Sequence, residues 1–142
     1  MISSFLFPQK ISERNCSLLL LAARIIFGIL IIMHGIQKLE GFETLSAGLF
    51  PDPLGIGSKL SICLAIFGEL ACGIAFTLGF LFRLATIPMI FTMIVAFFGV
   101  HGGSIAGGEL AFAYLIVFCL MFSAGAGRYS VDYFIAKWFN QK

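Results

Sequence analysis

The sequence predicts an all-α polytopic membrane protein: an antiparallel bundle of four transmembrane helices followed by a short interfacial helix. Two observations predict it. Hydrophobic residues make up 60% of the 142 and charged residues only 11%, whereas a soluble domain carries roughly 25% charged residues to keep its surface solvated. The apolar residues also gather in four long runs, each able to cross a hydrocarbon core of about 30 Å at ~1.5 Å rise per residue. The surplus apolar surface must face lipid, and the length leaves room for a single domain spanning 1–142.

The first run, 18–39, is interrupted by Arg24, His34 and Lys38. Lys10 and Arg14 come after Phe5-Leu6-Phe7 rather than before an apolar run, so no cleavable leader is read and this segment is expected to stay in the membrane. The second run, 60–81, has Glu69 as its one charge, and the third, 84–100, tolerates Pro88 in its first turns. The fourth becomes a full span, 105–124, once it is extended back through Gly107, Gly108 and Glu109. Between the first two runs, Pro51-Asp52-Pro53 rules out continuous helix over Gly41 to Gly57 and leaves a turn or a re-entrant cap. After the fourth, Gly125-Ala126-Gly127 breaks the pattern and Ser130 caps a helix over about 130–140. Val131, Phe134, Ile135 and Trp138 then form one apolar stripe, the pattern of a helix lying in the interface plane, and Tyr129, Tyr133 and Trp138 suit an aromatic belt.

The net charge is only +2 and the basic residues are scattered, which excludes nucleic acid as a partner. Lys10, Arg14, Arg83, Arg128, Lys137 and Lys142 collect on one side of the predicted bundle, against Lys38 and Lys59 with Glu40, Glu43, Asp52 and Glu109 on the other. The lysine and arginine excess sets the orientation, so both termini are expected in the cytoplasm, across a bacterial-type inner membrane. Cys16, Cys63, Cys72 and Cys119 form no CxxC pair and read as packing residues; Cys63 and Cys72 fall on opposite faces of one helix and cannot pair. No metal site is read.

An ionisable side chain at the centre of a membrane helix costs about 2.5–3.5 kcal/mol, so each one needs a reason. Glu69 lies near the middle of its run, and Ala65, Glu69 and Gly73 share one face where a neighbouring helix can pack closely. Glu69 is therefore expected to point into the bundle. On the first helix, with Arg24 at zero and roughly 100° per residue, Gly35 falls near 20°, Gly28 near 40°, Lys38 near −40° and His34 near −80°, so one stripe carries glycines and cations together. Rise alone puts Arg24 roughly 9 Å and Glu69 roughly 18 Å from the inner ends of their helices, a stretched separation for direct pairing. His34, Lys38, His101 and Glu109 gather by depth at the outer half, where they would line an outward-facing polar pocket with Glu69 at its floor. The candidate site is thus Arg24, His34, Lys38, Glu69, His101 and Glu109. For Arg24, Lys38 and Arg83 snorkelling or ion pairing stands beside a functional role.

The order of these residues resembles the DoxX family. The resemblance rests on Arg24 and Gly28, then His34-Gly35-Ile36-Gln37-Lys38-Leu39 with Gly41-Phe42. It continues through Glu69 with Gly73, Leu78-Gly79, Arg83, His101, Glu109, Tyr114 and Gly125-Ala126-Gly127 before Ser130-Val131-Asp132, covering Leu18 to Asp132. It implies a four-helix inner-membrane protein tied to redox physiology, with relatives such as the DoxD-like subunits of thiosulfate:quinone oxidoreductase. Fold transfers along such a resemblance more safely than activity. The chain has no redox cysteine pair or nucleotide motif, so an electron carrier would be a bound quinone or a partner's cofactor. His34 and His101 are the elements of a bis-histidine haem site, but one histidine on each of two helices is a weak signal.

Three functions follow as expectations. A redox-linked subunit would hold a quinone head group or a small sulfur oxyanion among Glu69, Arg24, His34 and Lys38 and serve a soluble oxidoreductase partner. A small-solute or proton-coupled carrier would use the midplane carboxyl, and with four helices it would need a homodimer. A non-catalytic scaffold would recruit soluble enzymes through the tail around Trp138.

Overall fold

A computed structural model describes residues 12–141. Among the described residues there are four helices long and apolar enough to cross a membrane, and no strand. These are α1 (Glu13–Glu40), α2 (Ser58–Leu78), α3 (Phe82–Val100) and α4 (Ile105–Ala124). A fifth, α5 (Val131–Phe139), follows. Lys10 and Lys142, two of the charges used to orient the chain, lie outside the described residues.

The boundaries correct the sequence reading at two places. α1 starts at Glu13, ahead of the apolar run, because the Ser12 hydroxyl accepts the Asn15 N–H at 3.2 Å and Glu13 puts a carboxylate at the positive end of the helix. α2 stops at Leu78, before the end of its apolar run, because Gly79 and Leu81 both take left-handed conformations, φ 68° and 44°. The loop read as a turn or cap also contains a short helical piece over 42–49, ahead of the proline turn. α4 spans the residues expected.

Alternating directions put the chain start, the 79–81 turn and α5 at one end of the bundle, the terminal face. The 41–57 loop and the turn after α3 lie at the other, the loop face. α1 packs on α2, α2 on α3 and α3 on α4. α4 closes back on α1 through Tyr114, whose ring meets Phe27 at 6.2 Å and His34 at 6.1 Å. Phe76 stacks on Phe82 at 5.0 Å and meets Phe118 at 5.4 Å, and with Ile31 and Met89 they fill the centre. Leu19, Leu84 and Leu120 stay exposed on the outside, as a lipid-facing surface requires.

Lipid offers no hydrophobic gain for helix association, so close backbone packing at small residues takes its place. A Cβ on Gly28 would lie 2.0 Å from Thr77 Oγ1, and one on Gly35 would lie 2.8 Å from the Leu70 backbone nitrogen. Glycine at both positions lets α1 settle against α2, with Gly35 level with Glu69 and Leu70. Lys38 is then one turn above Glu69.

At the terminal face the chain is fastened by Arg24, which is fully buried. Its Nη1 donates to Ala126 O at 2.6 Å and its Nη2 to Tyr129 O at 2.9 Å, while Nη2 and Nε both reach Thr77 O at 3.3 and 3.4 Å. The guanidinium thus caps the carbonyl end of α2 and holds the 125–130 turn against it. Gly79 allows this, since a Cβ there would lie 2.7 Å from Arg24 Nη1. Asp132, at the start of α5, reaches across to accept the Leu81 and Phe82 N–H groups, both at 2.8 Å, capping α3 in place of a local side chain. Its own N–H donates to Gly79 O at 2.9 Å. α5 is therefore docked to the α2–α3 turn as well as capped by Ser130, whose hydroxyl accepts from Tyr133 N at 3.2 Å.

Replacing Arg24 by methionine leaves three backbone carbonyls at a buried helix end without their charged donor. The unfolding free energy in detergent, followed by circular dichroism against denaturant, is expected to fall by about 2–4 kcal/mol. Arg24→Lys should restore little, because an ammonium lacks the fork that spans the three acceptors. A methionine variant as stable as the parent would contradict this assignment.

Candidate functional site

α2 and α3 are regular α-helix only in part. Phe67–Ala71 in α2 and Val95–Val100 in α3 are π-helical turns, the wider form that inserts one extra residue and recurs at functional sites. The first presents Glu69 and the second leads into His101. Glu69 is buried, and Lys38 Nζ donates to its Oε2 at 2.6 Å, with 23% of the lysine side chain and 6% of the glutamate side chain still accessible.

The pair lies on the wall of a cavity of about 250 Å³ between α2 and α3. Ser61, Leu64, Ala65 and Glu69 form one side; Phe91, Thr92, Val95, Ala96, Val100 and His101 form the other; Lys38 enters from α1. Phe50, Pro51, Pro53 and Leu54 of the loop roof it. Mostly apolar walls with a few convergent polar groups are the usual make-up of a small-molecule site. An ammonium has three N–H donors and gives one to Glu69, which leaves donors free for an acceptor in the cavity.

The roof is tied down by Asp52. Its carboxylate accepts the Ser61 hydroxyl at 2.7 Å, Gly57 N–H at 2.7 Å and Ile56 N–H at 3.1 Å. These bonds hold the Asp52 carboxyl below its ordinary range, the Ser61 hydroxyl contributing most and Gly57 N–H next. Ser58 Oγ donates to Phe50 O at 2.9 Å. Pro53 sits against Gly99 of α3, where a Cβ would lie 2.8 Å from the proline Cβ.

Of the six residues singled out from sequence, the structure brings Lys38, Glu69 and His101 together on this cavity. Arg24 is at the opposite end of the bundle, bound to carbonyls, and does not approach Glu69. Counted from Leu18 it seemed a turn and a half inside the membrane; beside α2 it lies level with Thr77, in that helix's last turn. His34 is half-buried and edge-on to Tyr114, outside the cavity lining. Glu109 is exposed on the first turns of α4 and does not line it. The loop residues Phe50, Asp52 and Pro53, with Ser61 and Thr92, were not singled out. The one local signal was the Pro-Asp-Pro turn followed by Gly55, Gly57 and Ser58, a carboxylate set before N–H groups at a helix start. No group of three or more His, Cys, Asp or Glu converges as a metal site among the described residues.

The family model of DoxX matches residues 19–102, more than half of the chain and the part that carries Lys38, Glu69, the roof and His101. No curated protein and no solved structure matches the chain.

The depressed Asp52 acidity links the roof to pH. A carboxyl held below its ordinary range stabilises the closed loop at every pH above its unfolded value, and that contribution disappears as the pH falls through the folded value. Proteolytic cleavage within 41–57 is therefore expected to stay slow from neutral pH down to the ordinary carboxylate range and to accelerate only below it. Asp52→Asn should accelerate it at neutral pH. Cleavage indifferent to both changes would show that Asp52 does not hold the roof.

Proposed function

The chain belongs to the DoxX family, and on that premise we propose that it is a redox-linked membrane subunit whose Lys38–Glu69 cavity holds a quinone head group. The observation that carries this reading is an ion pair at the wall of an apolar, membrane-embedded cavity. Lys38 already has its counter-charge. A sulfur oxyanion bound there would bring a second negative charge into a low-dielectric site whose walls hold no lysine or arginine besides the already paired Lys38, which is costly. A neutral ring with carbonyl oxygens adds no charge and accepts the remaining lysine N–H donors. His101, exposed at the end of α3, stands where a proton can pass between the cavity mouth and water.

The same pairing bears on the carrier alternative. A carboxyl that alternates between protonated and paired states must be released in each cycle, and Glu69 is held by Lys38 beneath a clasped roof. Electrons for a bound quinone would come from a partner oxidoreductase's cofactor, docked at the terminal face. We place that face in the cytoplasm: Arg14, Arg83, Arg128 and Lys137 lie there, against Lys38 and Lys59 at the loop face. The membrane is taken to be a bacterial-type inner membrane.

Binding of a tailless dimethoxy-methyl-benzoquinone to the protein in phosphatidylcholine nanodiscs tests the reading. Lys38→Met is expected to weaken saturable binding by about 10- to 100-fold, the loss of one charge-assisted contact. Glu109→Gln, exposed and away from the cavity, should leave it unchanged. The double variant Lys38→Met/Glu69→Leu removes both charges together, so the bundle survives while binding is lost. A parent protein that shows no saturable binding, or a double variant that binds as the parent does, would end the proposal.

A further inference from the structure

We infer that the cavity receives its ligand sideways from the bilayer, and that the ligand is therefore a long-tailed amphiphile whose hydrocarbon chain leaves between α2 and α3. The inference rests on the quinone reading of the same site and narrows it to quinones with a long hydrocarbon tail drawn from the membrane rather than rings taken from water.

The water side of the cavity is roofed, with His101 left exposed at its edge. Phe50, Pro53 and Leu54 cover it, and the segment that carries them is fixed at three points: Asp52 on Ser61, Ser58 on Phe50 O and Pro53 on Gly99. The lateral side is open. α2 and α3 pack against each other through 67–78 and Phe82–Ile94, whereas Ser58–Ile66 packs instead on α1 and Leu45–Leu49 and scarcely touches α3. At the rim of this gap Leu64 is 45% exposed and Phe91 51% exposed, although both also line the cavity. Neither rim residue offers a polar group to water.

Depth decides what the gap faces. At ~1.5 Å per residue Leu64 lies roughly 9 Å below the start of α2, and Phe91 roughly 14 Å below the end of α3. Half of the hydrocarbon core is about 15 Å thick, so an opening at this level meets acyl chains. Size agrees. Pockets that enclose a whole drug-sized ligand run to about 300–1,000 Å³, and this one holds about 250 Å³, room for a ring with its tail outside. A head group at Lys38 and Glu69 with a tail directed past Leu64 and Phe91 satisfies both ends.

Two probes test this on the full-length protein in phosphatidylcholine nanodiscs: the tailless benzoquinone, and the same ring on a decyl tail ending in a diazirine. Photolysis is expected to label Leu60 or Leu64 of α2 and Phe91 or Phe98 of α3. Leu60→Trp, at an exposed position one turn from Leu64 and outside the cavity lining, should weaken the tailed probe at least about tenfold while the tailless ring binds as before. Labelling confined to the 41–57 loop, or a tryptophan variant that binds both probes as the parent does, would overturn lateral access and leave the quinone reading standing. Failure of both probes to bind, or a phospholipid retained in the cavity that neither displaces, would overturn both.

Discussion

A lysine and a glutamate within a bilayer are tolerable only if they meet. Separately, Lys38 and Glu69 would each carry the cost of an unpaired charge in hydrocarbon; joined at 2.6 Å, they partly offset it. Much of the loop-face half of the bundle can be understood from this requirement. Lys38 is set over Glu69 because Gly35 lets α1 approach the backbone of α2 at the level of Leu70. Glu69 is turned toward it on a π-helical turn, where α2 departs from its regular winding. Ahead of this turn Ser58–Ile66 packs on α1 and the 45–49 segment rather than on α3, and the cavity that the pair lines lies there.

The bundle holds another cation, this one fully buried, and the contrast between the two separates structure from candidate function. Arg24 directs its guanidinium at three backbone carbonyls around a helix end, with Asp132 nearby, and so its hydrogen-bonding capacity is largely consumed. Lys38 gives one bond to one carboxylate and faces a cavity. The first is a closed arrangement that joins α1, α2 and the 125–130 turn; the second keeps unspent donors beside empty volume. Both cations arose from the same sequence stripe, and only their neighbours distinguish them.

Much of this was legible in the sequence, and the remainder was not for identifiable reasons. Four spans follow from the length of the apolar runs, and the α5 stripe follows from its spacing, because both are properties of a single segment. The family resemblance read along Leu18 to Asp132 is matched by the family model over 19–102. The burial of Glu69 was likewise legible, from its depth and its small-residue face. Its partner was not, since partnership depends on how far α1 is shifted along α2, and rise per residue within each helix says nothing about that shift. The same shift carried Arg24 to the end of α2. His34 and Glu109 share the depth of the cavity but sit at other angles around the bundle, and depth alone does not supply the angle. The end of α2 was misjudged because Gly79-Phe80-Leu81 is as apolar as the helix before it, although its backbone turns left-handed. The roof depends on contacts between Asp52 and Ser61 and between Pro53 and Gly99, which no local pattern announces.

The claim that everything else leans on is that Glu69 is a carboxylate paired with Lys38 inside the membrane. Infrared difference spectroscopy of the protein in nanodiscs, with isotope-labelled glutamate and Glu69→Gln to assign the band, tests it without reference to any ligand. The account predicts carboxylate stretches for Glu69 in the parent protein that change frequency in Lys38→Met, where the hydrogen bond is lost. Glu69 bands that removal of the lysine leaves unchanged would contradict it.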